Sequence, residues 1–377
     1  MREIINGDCL EIMRGMPDNH ISAIVTDPPY GLSFMGKQWD GETPGIEYWQ
    51  EALRICKPGA HLLAFGGSRT HHHLMMAIER AGWEIRDCIM WIYGSGFPKS
   101  HNFGKKMGGD WQGYGTALKP AYEPIIMAMK SCECTFSQNA EKWGVAGINV
   151  GASRIGTDDT RQSASKDLLG LMNDDGWKCK KMTVGSECGR WPANILFDEE
   201  AAQALDEMSG ERKVGSIKAS EKLASHGNCY GLRKLGNVND FEASKGGASR
   251  FFYCAKASSA ERNEGLESFP SYEKETLNDY VNPSQGRIAS KSGSPMQNFH
   301  PTVKPLKLMT YLIKLIMPPK DGILLDPFAG SGTTILAAEH LGVNAIGIEK
   351  CFEYAEIARA RVSHEKKAKD YQLELFA

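Results

Sequence analysis

The sequence carries an Asp-Pro-Pro-Tyr tetrapeptide at residues 27–30, directly after an apolar run at residues 21–26. Proline has a fixed φ and no backbone N–H, so the carbonyl of Pro28 is held in one direction beside the carboxylate of Asp27. An exocyclic base amine needs such acceptors for its hydrogens, because they turn the nitrogen lone pair toward an electrophile, and preorganised acceptors need no rearrangement during the reaction. Tyr30 offers a ring face for a base taken out of its stack. The alternative is a proline-rich turn that only ends a buried strand.

A second motif, LLDPFAGSGTT at residues 324–334, has the form of a ligand-binding turn. An apolar strand ends at Asp326, and Gly330 and Gly332 let the backbone approach a ligand before a helix begins. Glu349 follows at the end of the next apolar run, where an acid can bind a ribose diol. These features predict a nucleoside cofactor. The missing third glycine of the dinucleotide fingerprint argues against NAD and FAD, and a tight strand-to-helix connection without a ligand is the alternative.

Strands and helices alternate at both ends of the chain and must position these motifs. The pattern predicts strands at residues 21–27, 60–67 and 83–93, helices at 46–59 and 70–82, and a complete βαβ unit at 322–350. Pro58 and Gly59 are expected to end the first helix. Alternation of this kind predicts an α/β fold with a doubly wound, mostly parallel sheet that is covered on both faces. Between residues 151 and 297 the chain is rich in Gly, Ser, Asn, Lys and Asp, which predicts a loop-rich module.

The charge balance excludes some partners and favours others. A net charge of −2 over 377 residues argues against a protein that coats nucleic acid by bulk electrostatics. Residues 212–256, however, contain nine lysines and arginines against three acids. Five of these cations are candidate DNA-binding residues: Lys213, Arg233, Lys234, Lys245 and Arg250. A solvated flexible linker is the alternative for this segment.

Other features predict the absence of a membrane or metal partner. No apolar run is long enough to cross a bilayer, and the first residues lack the order of charge and hydrophobicity of a secretory signal, so we expect a cytoplasmic location. The ten cysteines are typical of reduced, mostly buried thiols. Successive histidines at residues 71–73 point in different directions on a helix, and Cys132, Cys134, Cys179 and Cys188 lack the usual zinc spacing. We therefore predict no metal.

The two motifs together resemble those of the DNA amino-methyltransferases, whose hallmark is (Asn/Asp/Ser)-Pro-Pro-(Tyr/Phe) paired with Phe-x-Gly-x-Gly. The tetrapeptide comes first and the cofactor loop last, which is the order of the circularly permuted β group. The resemblance implies a class I methyltransferase fold. It divides the chain into a catalytic half at residues 1–130, a target-recognition region at 131–297 and a cofactor-binding half at 298–377. It also implies methyl transfer from S-adenosylmethionine to a flipped base in double-stranded DNA.

The same resemblance assigns roles to individual residues. The catalytic residues would be Asp27, Pro28, Pro29 and Tyr30. The cofactor would be held by Asp326, Phe328, Ala329, Gly330, Ser331, Gly332 and Thr333 of the glycine loop, by Glu349 at the ribose, by Asp8 and Cys9 near the adenine, and by Thr302 and Lys304 at the methionine end. Simpler roles compete: Asp8 as a helix cap, Lys304 as a solvated charge, and Glu349 as a partner of Lys350 or another surface cation.

Several alternatives remain open at the level of the sequence. In the family that the chain resembles, Asp at the first position of the tetrapeptide is associated mainly with adenine and Ser mainly with cytosine, so we predict N6-methyladenine, with N4-methylcytosine as the alternative. Methylation of RNA or of protein glutamine uses a similar corner but an unpermuted chain. An inactive DNA-binding regulator is a further alternative. The setting, which could be a restriction-modification system, a prophage or an orphan enzyme, stays open, as does a homodimer. Trp91, Tyr93, Trp111 and Tyr114 either line a base pocket or pack in the core.

Overall fold

In the computed structural model of the protein, the described residues are 1–32, 40–96, 100–156, 189–213, 245–255, 263–267, 269, 298, 300 and 302–376. Strands β1 to β11 are Arg2–Asn6, Ile21–Thr26, Cys56–Phe65, Glu84–Ile92, Tyr122–Met129, Ile195–Asp198, Arg212–Lys213, Lys245–Gly246, Tyr253–Ala255, Ile323–Asp326 and Asn344–Glu349. Helices α1 to α9 are Cys9–Arg14, Ile46–Ile55, His71–Arg80, Gly104–Met107, Phe136–Trp143, Glu199–Ser209, Leu306–Ile316, Thr333–Leu341 and Phe352–Phe376.

Nine strands of the described chain form one sheet in the order β1-β11-β10-β2-β3-β5-β4-β6-β9. Neighbouring strands are parallel except at β5, which is antiparallel to both β3 and β4. Parallel neighbours require long crossover connections, and these connections carry helices onto both faces of the sheet. The predicted α/β fold with a doubly wound, mostly parallel sheet is therefore confirmed.

Each face of the sheet has its own apolar core. Val25 of β2 packs on the side of α7 and α8, together with Leu312 and Ile335. Its neighbour Ile24 packs on the other side, together with Trp49 of α2 and residues of α1 and α3. Alternate side chains of a strand point to opposite faces, and every residue of β2 is buried because both faces of the strand are covered.

The middle of the chain also contributes to the sheet. β6 pairs with β4, and β9 pairs with β6, both in parallel. The sheet thus continues beyond residue 130, where we placed the start of the target-recognition region. The division at residues 130 and 297 stays a prediction.

One predicted boundary is wrong. Helix α2 ends at Ile55, and Pro58 and Gly59 lie inside β3 instead of ending the helix. Gly59 has a φ of +84°, and the register of β2 against β3 shifts in this stretch. A bulge of this kind lets a proline and a glycine stay within a strand. The carbonyl of Pro58 accepts a hydrogen bond from Asn139 Nδ2 at 2.8 Å, which fixes the bulge from outside the sheet.

Within the described chain, every helix is too short or too polar to span a membrane. The same residues contain no group of three His, Cys, Asp or Glu side chains that could hold a metal ion. The prediction that the protein needs no metal stays a prediction.

Candidate active site

Both chemical motifs reach the same edge of the sheet. Strands β2 and β10 are parallel neighbours; Asp27 follows the first directly, and Asp326 is the last residue of the second. Ligands of open α/β sheets bind at this edge. A cavity of about 1660 Å³ lies here, lined by both motifs. A single small-molecule site occupies about 300–1,000 Å³, so this cavity has room for two ligands side by side.

A buried carboxylate shapes the turn that carries the tetrapeptide. Asp40 is only 3% exposed and accepts hydrogen bonds from the backbone N–H groups of residues 30–32, at 2.7, 3.1 and 3.3 Å. The hydroxyl of Tyr30 lies 2.8 Å from Asp27 Oδ1 and 3.1 Å from Glu123 Oε2. Burial and the two carboxylates raise the pKa of Tyr30 well above its ordinary value, so its phenol stays neutral.

Lys304 points into this corner and forms an ion pair with the acid of the tetrapeptide. Its Nζ lies 2.7 Å from Asp27 Oδ2, 3.2 Å from Glu123 Oε2 and 3.2 Å from the hydroxyl of Tyr30. The ammonium also lies over the ring of Phe65, 4.8 Å from its centre. Burial opposes the charged form, but the attraction of the two carboxylates outweighs burial and raises the pKa of Lys304 above its ordinary value. Lys304 is thus a buried cation beside the tetrapeptide rather than a solvated charge.

Glu123 was missed by the sequence reasoning. It is the second residue of β5, the antiparallel strand, and its backbone pairs with Trp91 of β4. A signal was available, because Glu123 is the one acid within the otherwise apolar strand YEPIIMAM. An acid in such a strand needs a partner at the strand end, and that partner is Lys304.

Asp326 has a structural position beneath the glycine loop. Its carboxylate accepts hydrogen bonds from Thr26 Oγ1 at 2.7 Å, Thr334 Oγ1 at 2.5 Å and the backbone N–H of Phe328 at 3.1 Å. Burial raises the pKa of Asp326 to about 6, and these three hydrogen bonds oppose that rise. The side chain therefore ties β2, β10 and α8 together at the edge of the cavity.

Glu349 holds the other side of the loop. Its Oε2 accepts a hydrogen bond from the N–H of Gly330 at 2.8 Å, and its Oε1 accepts one from the N–H of Cys351 at 2.8 Å. Burial raises its pKa above the ordinary value. Glu349 does not pair with Lys350, whose ammonium binds Asp8 instead, at 3.0 Å. The carboxylate of Glu349 lines the cavity at the end of β11, as an acid for a ribose requires.

The two glycines of the loop are required by conformation and by packing. Gly330 and Gly332 have φ values of +53° and +78°, which L side chains rarely adopt. A Cβ at Gly330 would lie 2.8 Å from Nε2 of His300, and a Cβ at Gly332 would lie 2.7 Å from the Cβ of Ala358. The loop is therefore pressed against α9 and the segment before α7.

Arg361 is a second residue that the sequence reasoning missed. It is 2% exposed, and its Nη1 donates hydrogen bonds to the carbonyl of Ser331 at 2.6 Å, to Ser331 Oγ at 3.3 Å and to Thr333 Oγ1 at 3.2 Å. The predicted cofactor residues Ser331 and Thr333 thus have oxygens engaged by this guanidinium. Arg361 looks like one of many charges on a long polar helix, so no local pattern distinguishes it.

The first βα connection brings Asp8 and Cys9 to the cavity. Asp8 caps α1, because its Oδ1 accepts hydrogen bonds from the N–H groups of Leu10 at 3.0 Å and Glu11 at 3.4 Å. The cap therefore exists, and Asp8 also lines the cavity. Burial raises the pKa of the Cys9 thiol to about 12, so the side chain acts as a small apolar group.

The remaining predicted residues also border the cavity, namely Pro28, Pro29, Thr302, Phe328 and Ala329. The ring of Phe328 lies near the rings of Tyr48 and Trp49, at 6.1 and 6.4 Å. The N–H of Thr302 donates to His300 Nδ1 at 3.4 Å. All of these contacts are within the protein, so the predicted roles of these residues toward a ligand stay predictions.

Comparison with known proteins shows the family to which the chain belongs. The model of the N6/N4 family, described as a DNA methylase, matches residues 21–360 and so includes both motifs. The chain belongs to the N6/N4 family of DNA methylases.

Individual relatives of this methylase match it over short segments or at low identity. The type II methyltransferase M2.MboI of Moraxella bovis is 48% identical over 65 residues, which are 17% of this chain and 23% of the relative. M.HindIII of Haemophilus influenzae is 47% identical over 70 residues, 19% of this chain and 22% of the relative. The chain thus matches less than a quarter of the length of either relative.

Two solved structures are similar over nearly the whole chain, both with TM-scores below 0.5. The cytosine-N4-specific PvuII DNA methyltransferase has a TM-score of 0.46 and 16% identity, covering 99% of this chain and 92% of that one. The complex of M1.HpyAVI with SAM has a TM-score of 0.41 and 17% identity, covering 96% of this chain and 100% of that one.

The family match confirms the resemblance that was stated from the motifs. Because the family depends on S-adenosylmethionine, the predicted cofactor is confirmed as well.

The predicted DNA-binding residues of the methylase are only partly described. Arg233 and Lys234 lie outside the described residues, and Lys213 and Lys245 are described only as backbone partners in the short β7–β8 ladder. The guanidinium of Arg250 donates hydrogen bonds to the carbonyls of residues 246 and 247 and lies over Phe251. Arg250 thus supports its own turn, and its predicted contact with DNA stays a prediction.

Four aromatic residues were predicted either to line a base pocket or to pack in the core, and the structure separates them into two pairs. Trp91 is buried in β4, with its ring 5.2 Å from that of Tyr93, and both line the cavity. Trp111 and Tyr114 are 45% and 58% exposed on the connection between β4 and β5. The first pair therefore combines packing with a place in the cavity, whereas the second pair lies on the surface.

Proposed function

We propose that this DNA methylase transfers a methyl group from S-adenosylmethionine to the N6 amine of an adenine flipped out of duplex DNA. The observation that carries the proposal is the pairing of two sites in one cavity. The Asp27 carboxylate stands on one side, and the glycine loop with Glu349 stands on the other. Neighbouring parallel strands hold the two sites together.

The residues around the glycine loop fit the proposed cofactor. Glu349 offers a buried carboxylate to the ribose hydroxyls, the apolar Cys9 and the ring of Phe328 suit the adenine, and the backbone around Gly330 allows a close approach. Thr302 lines the same cavity, and we assign it to the methionine end of the cofactor. When bound, the cofactor supplies a methyl group on a sulfonium, an electrophile that requires no metal.

The catalytic corner prepares the amine. The carboxylate of Asp27 accepts one amine hydrogen and the carbonyl of Pro28 accepts the other, so that the nitrogen lone pair points across the cavity. Both acceptors are fixed before the base arrives, Asp27 by Tyr30 and Lys304 and the carbonyl by the prolines. The ring of Tyr30 supports the face of the flipped base.

Lys304 and Glu123 set the charge of this corner. Methyl transfer moves positive charge from the sulfonium to the amine nitrogen, so a negative environment at the nitrogen stabilises the transition state. Lys304 alone would neutralise Asp27. Because Glu123 shares the same ammonium at 3.2 Å, the cluster of two carboxylates and one cation keeps one net negative charge. On this account Lys304 acts on Asp27 rather than on the methionine end of the cofactor.

Adenine is the proposed base because the tetrapeptide begins with Asp, which the family resemblance associates mainly with adenine. We also propose that residues 131–297 recognise the DNA sequence, and that the basic stretch at residues 212–256 contacts phosphates. The family supports DNA as the partner, and we propose that this DNA is double-stranded and that the middle region recognises its sequence.

A methyl-transfer assay tests the substrate class. Purified protein is incubated with S-adenosylmethionine labelled in the methyl group and with duplex DNA, RNA or a protein extract. We expect label in DNA alone. Label in RNA or protein alone would replace the proposed substrate. A protein that binds DNA and S-adenosylmethionine without transferring label would be the inactive regulator.

A further inference from the structure

Residues 100–119 of the connection between β4 and β5 form a hairpin beside the cavity. We name residues 100–119 the aromatic hairpin. Its base is closed by Ser100 Oγ, which accepts hydrogen bonds from the N–H groups of Thr116 at 2.8 Å and Ala117 at 3.2 Å, and by Thr116 Oγ1, which accepts one from the N–H of His101 at 2.9 Å. Further along, the N–H of Phe103 donates to the carbonyl of Tyr114 at 3.1 Å. These bonds give the hairpin a defined shape without burying its tip.

A row of aromatic rings runs along this hairpin. The rings of Phe103 and Trp111 have centres 5.4 Å apart, and those of Trp111 and Tyr114 are also 5.4 Å apart in an edge-to-face arrangement. Trp111 is 45% exposed and Tyr114 is 58% exposed. Large aromatic residues that stay exposed side by side on a described surface indicate a contact with another molecule.

The charge of the hairpin fits a polyanion. It carries three lysines against one acid: Lys105, Lys106 and Lys119 against Asp110. Cations interleaved with exposed rings are the arrangement with which proteins bind single-stranded nucleic acid, the rings stacking on bases and the cations contacting phosphates. A protein partner would be expected to meet a more apolar or a charge-balanced surface.

The hairpin is continuous with the active site. Its residues 116–119 line the same cavity as Asp27 and Tyr30. A base that leaves a duplex to reach Asp27 leaves its partner base unpaired and its flanking bases unstacked on one side, at the mouth of the cavity. The exposed rings of Trp111 and Tyr114 stand on the element that forms part of this mouth.

We propose that the aromatic hairpin binds the DNA beside the flipped base, with Trp111 and Tyr114 stacking on the bases that flipping leaves unpaired or unstacked and the hairpin lysines contacting the phosphates. The inference rests on the proposed function, since it takes DNA as the substrate. It adds a second DNA-contacting surface, separate from the middle of the chain.

The test compares full-length variants by fluorescence anisotropy with a labelled single-stranded oligonucleotide of mixed sequence and with a matched duplex. Trp111→Ala with Tyr114→Ala should weaken binding of the single strand by about 100-fold, since each lost stacking ring accounts for about tenfold. Affinity for S-adenosylmethionine should be unchanged. Trp111→Phe, which keeps a ring, should bind within about threefold of the wild type. Phe352→Ala is the control, because Phe352 is 60% exposed at the start of α9, outside the proposed recognition region, and does not line the cavity.

The outcomes separate this inference from the proposed function. A double variant that binds the single strand as the wild type does, while the wild type methylates DNA, would overturn the role of the hairpin and leave the methylase intact. A wild type that neither binds nor methylates DNA would overturn the proposed function itself. If the double variant only dissociated a dimer in sedimentation, with DNA affinity unchanged, the hairpin would be a contact between two copies, which also contradicts the inference. Limited proteolysis within residues 100–119 checks that the variants keep the folded hairpin.

Discussion

Asp27 and Asp326 each precede a proline at the ends of neighbouring parallel strands, yet their surroundings differ. Asp27 is 18% exposed at its side chain and is held by the ammonium of Lys304 and the hydroxyl of Tyr30, both lining the cavity. Asp326 is 2% exposed and is held by two threonine hydroxyls and a backbone N–H. The same dipeptide thus occurs once in a corner with charged and titratable partners and once in a buried position that supports a loop.

The difference shows how a carboxylate obtains one role or the other. At Asp326 the hydrogen bonds come from groups of the fold itself and the residue is almost fully buried, so little of the side chain is left for a ligand. At Asp27 the partners are charged or titratable side chains that the cavity can reach. An acceptor of this second kind can respond when charge moves during a reaction.

The largest expected effect separates the two aspartates directly. Asp27→Ala should lower the rate of methyl transfer by about 10³-fold or more, because it removes an acceptor that matters most in the transition state. Its free energy of unfolding and its affinity for S-adenosylmethionine should stay near those of the wild type. Asp326→Ala should instead lose about 3 kcal/mol of stability, since three buried donors lose their acceptor. Turnover measurements and chemical denaturation check both variants. Near wild-type turnover in Asp27→Ala would contradict the role of Asp27 as the acceptor for the base amine.

The buried position of Asp326 also predicts a pH dependence of stability. Burial raises the pKa of Asp326 to about 6 from 3.8, so the folded protein binds more protons than the unfolded chain between these values. The contribution of this group is fully present below the unfolded pKa and is lost as the pH rises through the folded pKa. Relative to Asp326→Asn, the wild type should therefore lose about 3 kcal/mol of unfolding free energy between about pH 4 and pH 7. If the unfolding free energies of the two proteins changed with pH in parallel, Asp326 would not titrate in this range.

A smaller effect sharpens the account of the catalytic corner. Glu123→Gln should lower kcat by about tenfold, because Lys304 would then neutralise Asp27 fully. In a Lys304→Met background the same change should have little further effect. The KM for S-adenosylmethionine should stay unchanged in Lys304→Met. Equal effects of Glu123→Gln in both backgrounds would show that Glu123 and Lys304 are not coupled. A raised KM for S-adenosylmethionine in Lys304→Met would indicate that Lys304 contacts the methionine end of the cofactor instead.

The matched control for Glu123 is Glu84→Gln. Glu84 lies at the opposite end of the β4–β5 ladder, where its backbone pairs with Met129, and its side chain is 46% exposed. Its replacement should leave kcat unchanged.

The sequence was sufficient for the sheet edge and for both motifs. Apolar runs that end in Asp27 and Asp326 mark the ends of buried parallel strands, and parallel strands bring such ends together. The two glycines also predicted the turn at residues 330–332, because Gly330 and Gly332 adopt backbone conformations that few other residues tolerate. Family membership then confirmed the resemblance and the cofactor.

The partners of these motifs could not be derived from local pattern. Glu123 and Arg361 reach the site from β5 and α9, and the packing of whole elements decides which charges meet. Lys304 belongs to a segment that we assigned to the cofactor, yet its ammonium lies on Asp27, some 277 residues away in sequence. The end of α2 was misplaced for a related reason. A bulge against β2 keeps Pro58 and Gly59 within β3, whereas their types alone indicate a helix end.

The most direct test of the account is analysis of the nucleosides in DNA that the protein has methylated. Unmodified duplex DNA is incubated with the wild type and S-adenosylmethionine, digested to nucleosides and examined by mass spectrometry, with Asp27→Ala as the control. The account predicts N6-methyladenine in the wild-type sample and none in the control. N4-methylcytosine alone would contradict the proposed base, and the absence of any methylated nucleoside would contradict the proposed reaction.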